Sequence, residues 1–125
     1  MTNTLPKITN NSICVYIPIK IESEANKREH WAVKSRRKKQ QQRDFSTLWR
    51  QCKECIIQPP SVVTFTRHAC RVMDSDNLAG AFKHIRDQLA REIGIDDGDE
   101  RVHYRYDQKR IPKREHYFTV DITNL

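Results

Sequence analysis

No stretch of this 125-residue chain is both long and apolar. A membrane-spanning helix needs about 20 such residues in a row, so no membrane partner is expected. The start, MTNTLPKITNN, also lacks the apolar core of an export signal, which points to the cytoplasm. Internal repeats are missing too, and the length suits one domain, residues 1–125, with one modest core. His30, His68, His84, His103 and His116 are scattered and form no visible Ser/His/Asp or Cys/His set. Without an export signal, the four cysteines are not expected to form disulfides. Cys52, Cys55, His68 and Cys70 could in principle hold zinc. Their spacing is irregular, however, and Cys52 and Cys55 fall on the apolar face of a helical pattern. Small core residues are the simpler reading.

Acidic residues are nearly missing from one segment. Residues 27–43 carry Lys27, Arg28, Lys34, Arg36, Arg37, Lys38, Lys39 and Arg43 against Glu29 alone. The chain has a formal net charge of +7, so this segment holds the whole excess. Such a focus suits contacts to phosphates. A solvated helix face has the same composition.

Ile13, Val15, Ile17, Ile19 and Ile21 alternate and predict a strand over residues 13–21. Pro18 favours an edge position there. Phe45, Leu48, Trp49, Cys52, Cys55 and Ile56 recur at helical spacing. They predict a helix over residues 31–57, stopped by Gln58-Pro59-Pro60. The basic segment 22–43 includes the less amphipathic half of that helix and is expected to project from the body. SVVTFTRHA, residues 61–69, is β-branched and reads as a strand. Leu78, Ala81, Phe82, Ile85, Leu89 and Ile93 give a core stripe for a helix over residues 76–93. Gly94 suits its C-cap, with Ile95 packing back. Residues 101–109 and 116–122 alternate as strands, and their short connector predicts a hairpin. The expected class is α+β: one domain, β-α-β-α-β-β, a mixed sheet with two main helices.

Asp74-Ser-Asp76-Asn-Leu78 joins the second strand to the second helix. On an extended chain residues i and i+2 point the same way, so both carboxylates could converge on one cation. They would equally serve as an N-cap and a turn residue. A second acidic group, Asp96-Asp-Gly-Asp-Glu100, follows the helix. Hard cations such as Mg²⁺ take oxygen ligands. Carboxylates, Mg²⁺ and a concentrated basic surface together suit phosphodiester hydrolysis.

D-S-D-N-L at 74–78, the helix with Asp87-Gln-Leu89, G-I-D-D at 94–97 and the closing strands resemble the RusA family of Holliday-junction resolvases. The likeness covers about residues 60–123 and is loose before them. It implies a RusA-like fold and a homodimeric endonuclease, dependent on Mg²⁺ (with Mn²⁺ as a substitute), of a phage or prophage in a bacterial cytoplasm. Its substrate would be branched DNA, above all the four-way junction. Asp74, Asp76 and Asp97 would be the metal-binding catalytic carboxylates, with Asp96 the alternative third ligand. Lys34, Arg36, Arg37, Lys38, Lys39 and Arg43 would grip the backbone. One departure stands out: the family's catalytic lysine falls at Gly80. Lys83, two helical turns after Asp76, is the candidate substitute, and a surface lysine otherwise. The rival readings are a branched-DNA-binding protein without catalysis, and a nuclease acting on flaps or single strands. Asp97 is also hard to bring to Asp74 within one copy, because a straight helix from 77 to 93 spans about 25 Å.

Overall fold

The computed structural model describes residues 7–9, 12–23, 28, 30–52, 59–96, 98–112 and 115–125. The described strands are β1 (Lys7–Thr9), β2 (Ser12–Ile17), β3 (Ser61–Ala69), β4 (Val102–Arg110) and β5 (Tyr117–Asn124). They form one mixed sheet in the order β1-β2-β5-β3-β4. Helix α1 (Trp31–Arg50) joins β2 to β3, and α2 (Ser75–Ala81) and α3 (Lys83–Ile93) join β3 to β4. The expected α+β single domain with a mixed sheet is thus present.

Four local expectations change. The first strand stops at Ile17 rather than residue 21, because Pro18 has no N–H to continue a ladder. β4 and β5 are not a hairpin. β3, the most buried of the described strands, lies between them and pairs with β4 in parallel and with β5 in antiparallel. β4 takes the edge, where its charged outward residues meet water. The predicted helix 76–93 is bent into two pieces at Phe82, whose backbone sits at φ −92°, ψ −2°. The bend falls where the buried Phe82 ring stacks on Phe65 at 5.2 Å and meets Phe118 edge-on at 5.3 Å. α1 ends at Arg50 rather than residue 57, and residues 53–58 lie outside the described ones.

All three helices cover one face of the sheet. Phe45 and Trp49 of α1, Phe82, and Ile85 and Leu89 of α3 bury against Val15, Ile17, Phe65, Phe118, Val120 and Ile122. Tyr104 and Tyr106 pack at the margin of this core. Gly94 ends α3 at φ 70°, and Ile95 N–H donates to the Ala90 carbonyl at 3.0 Å. This is the expected left-handed cap with its backward contact. On the opposite face, His68 stacks on Tyr117 at 4.3 Å.

Gln42 Nε2 donates to the His84 carbonyl, while Ser46 Oγ and Arg50 Nε donate to Glu92 Oε1. Later residues of α1 therefore meet later residues of α3, and the two helices run parallel. Glu92 ties the seam, with a side chain only 7% exposed. The Arg50 hydrogen bond, with smaller help from Ser46 and Gln88, holds its carboxyl below the usual glutamate value. Glu92→Ala leaves the Ser46 hydroxyl without its acceptor and is expected to cost about 1–3 kcal/mol in urea unfolding. A depressed folded pKa means that the unfolded chain binds the proton more readily. The Glu92 contribution is therefore full above the ordinary glutamate pKa, about 4.3. It is lost as pH falls through the lower folded value. The gap between wild type and Glu92→Ala should close over that acidic range.

Candidate nucleic-acid and metal site

The segment leaving β3 is fixed by two side chains that no local pattern identifies. Arg67, 8% exposed, donates from Nε to the Ile21 carbonyl at 2.9 Å and from Nη1 to the Arg71 carbonyl at 2.6 Å. Gln108 of β4 accepts from Met73 N–H at 3.0 Å and donates to the Met73 carbonyl at 2.6 Å. The chain is thereby held at both Arg71 and Met73, directly ahead of Asp74.

Asp74 is the N-cap of α2, at φ −60° and ψ 149°, but its side chain makes no capping hydrogen bond. Asp76 lies within the first helical turn. The helix starts one residue earlier than predicted. The two carboxylates are therefore not alternate residues of an extended strand; they occupy the rim of a helix start, within one turn of each other. Both are exposed. The positive end of a helix favours negative charge there, so the pair has a structural use as well as a chemical one. Lys83 is exposed at the first position of α3. A Cβ built on Gly80 would meet nothing within 4 Å, so open space surrounds this position.

The acidic group after α3 is elsewhere. Ser61 N–H donates to the Arg101 carbonyl at 2.9 Å, which fixes this loop beside the start of β3. Asp74 follows the other end of the same nine-residue strand, and such a strand spans about 30 Å. Asp96 is therefore not brought to Asp74 and Asp76 within one copy. Its Oδ1 accepts from Gly98 N–H at 3.0 Å. Asp99 accepts from the backbone N–H, Nε and Nη2 of Arg101. That neighbour pushes its carboxyl down to about 2. This local pairing takes up one of the four carboxylates in the acidic group. Asp97 lies outside the described residues.

Among the described residues the zinc alternative is not assembled. Cys52 is disulfide-bonded, contrary to the expectation of unpaired thiols, and Cys55 lies outside the described residues. His68 stacks on Tyr117 on the helix-free face, while Cys70 Sγ lies 3.4 Å from His116 Nε2. Among the described residues no group of three or more His, Cys, Asp or Glu is placed to hold a metal.

None of residues 31–41 of α1 is buried. Gln42 makes a hydrogen bond to α3, at the His84 carbonyl. The preceding eleven residues are about 16 Å of helix, of which Arg37, Gln40 and Gln41 line a groove with Ile19, Lys20 and Glu22. Because α1 runs parallel to α3, this half points toward the end of the molecule that carries α2 and Asp74. Lys34, Arg36, Lys38, Lys39 and Arg43 are exposed, whereas Arg37 is half-buried. Arg36, Lys39, Arg43 and Arg50 follow one helical stripe. An open groove of about 330 Å³ between α1 and α3 adds Arg91 to Lys39, Arg43 and Arg50. Spacing alone could have found Arg50, but Arg91 needed the helix packing.

No helix among the described residues is long and apolar enough to cross a membrane. No protein-family model matches the chain, and no curated protein matches it closely enough to stand as a relative.

Proposed function

We propose that the chain is a metal-dependent endodeoxyribonuclease of the RusA type. It cuts four-way junctions and related branched DNA as a homodimer, in phage or prophage recombination within a bacterial cytoplasm. The observation that carries this reading is the exposed Asp74–Asp76 pair, with Asp74 unspent on capping, at the same end as the basic half of α1. The donor set is hard oxygen and fits Mg²⁺ or Mn²⁺ in kind. Asp74 and Asp76 would hold that ion, whose chemistry there is to activate a water and to neutralise charge on the phosphate. Arg36, Lys39, Arg43 and Arg91 neutralise backbone phosphates without reading sequence. The Gln108 clamp on Met73 keeps the Asp74 backbone in place during the reaction. The distance from Asp74 to the Asp96 loop favours a third carboxylate, Asp97, supplied by the second copy.

The test is incubation with a synthetic four-way junction, linear duplex and single strand, with Mg²⁺ and with chelator. Junction cleavage that needs the metal supports the proposal. Tight junction binding without cleavage in Mg²⁺ or Mn²⁺ would replace it with the binding-only reading. That rival draws on Gly80, which puts no cation where the family has one. Lys83 is the exposed cation nearest in sequence. Lys83→Ala is expected to slow single-turnover cleavage about a hundredfold, the usual cost of one transition-state donor, with junction affinity unchanged. An unchanged rate removes Lys83 from the chemistry.

A further inference from the structure

Cys70 follows β3 and His116 precedes β5, and the ladder between His68 and Tyr117 brings these two strand ends together. Cys70 Sγ lies 3.4 Å from His116 Nε2. The sequence showed no such pair, because 46 residues separate the partners. They share an open pocket of about 650 Å³ lined, among the described residues, by Pro18, Lys20, Cys70, Arg71 and His116. The buried Arg67 guanidinium adds a third cation behind Lys20 and Arg71. The acids of this neighbourhood are Glu22, exposed and bonded to Lys20 at 3.2 Å, and the exposed Glu115, next to His116 in the chain.

The imidazole stands within hydrogen-bond distance of the thiol, as a base must to take its proton, and the open pocket gives a reagent access to the sulfur. Burial, then the charges of Lys20 and Arg67, push the His116 imidazole below its ordinary pKa. The neutral imidazole, whose unprotonated nitrogen can accept a proton, is thereby favoured. Its other nitrogen, Nδ1, is buried with no hydrogen-bond partner among the described residues. Cys14 lies mid-strand in β2, with Asp121 of β5 and Lys7 of β1 as its register partners and no histidine among them.

We propose that Cys70 is a reactive thiol that forms mixed disulfides with small acidic disulfides. His116 Nε2 takes the Cys70 proton, and the thiolate attacks one sulfur of the incoming disulfide. The new bond to Cys70 forms as the old sulfur–sulfur bond breaks, and the departing thiolate takes the proton from His116. The exchange balances with no other oxidant. Lys20 and Arg71 select for carboxylates on the reagent. This inference does not rest on the nuclease reading. It does place the adduct at the start of the segment that ends at Asp74.

The full chain is treated with glutathione disulfide, which is anionic, or with cystamine, which is cationic, and the modified peptides are mapped by mass. Cys70 is expected to react with glutathione disulfide at least about tenfold faster than Cys14, and faster than it reacts with cystamine. The Lys20→Gln/Arg71→Gln variant should lose the preference for the anionic reagent while still reacting with cystamine. His116→Asn should slow both reagents. The double variant changes only exposed side chains, so it decides the matter even where His116→Asn fails to fold. Equal rates at Cys70 and Cys14, or no charge preference at Cys70, would overturn the proposal.

Discussion

Asp76→Asn protein is expected to cut junctions at least about a hundredfold more slowly than wild type, since ligand charge at a catalytic metal supplies several kcal/mol and 1.36 kcal/mol is a factor of ten. The side chain is exposed, so folding and junction binding should persist. Its loss from the first turn of α2 should cost no more than about 1 kcal/mol of stability. Asp97→Asn is expected to be equally inactive. The informative sample is the mixture of the two. If the third carboxylate comes from the second copy, a dimer of one Asp76→Asn and one Asp97→Asn chain has one site with both lesions and one with none. Mixing two inactive proteins should then restore cleavage. A mixture that stays inactive while exchanging subunits would put all the carboxylates in one copy, against the separation of Asp96 from Asp74 along β3. Full activity of Asp76→Asn alone would end the site assignment.

Replacing Arg36, Lys39, Arg43 and Arg91 with glutamine should weaken binding to every DNA shape tested. Each phosphate neutralised contributes about −0.9 to the slope of log affinity against log salt. The quadruple variant should therefore lose up to about 3–4 units of that slope. Arg50 is left in place because Glu92 already engages it. A loss confined to branched DNA would mean that these residues read shape rather than charge. An unchanged slope would return α1 to a solvated helix face.

Features written locally in the chain were legible. The stripe from Leu78 to Ile93, the Gly94 cap with Ile95 behind it, and the start of α1 at Trp31 all follow from spacing within a few residues. The D-S-D-N-L motif likewise marked the place where exposed carboxylates stand. What was misread required a comparison between distant segments. The short connector after β4 looked like a hairpin, but nothing in it reports that β3 competes for β5 and wins. Asp99 looked like part of a cation site, and its pairing with Arg101 was hidden because Arg101 had been assigned to the strand. Arg67, Gln108 and the Cys70–His116 pair act across 35 to 46 residues. No pattern within a sequence window could show them.

The central position of β5 bears on how the protein is made. Residues 117–124 leave the ribosome after every other described strand of the sheet, yet they fill the slot between β2 and β3. Until they arrive, β2 and β3 each present an open ladder edge, and the apolar face awaiting Phe118, Val120 and Ile122 is incomplete. Helices can form early because their hydrogen bonds are local, but the sheet must wait for its keystone. Nascent chains stalled before residue 117 should therefore be digested readily by protease and bound by chaperones. Extension through residue 124 should convert them in one step to a resistant form.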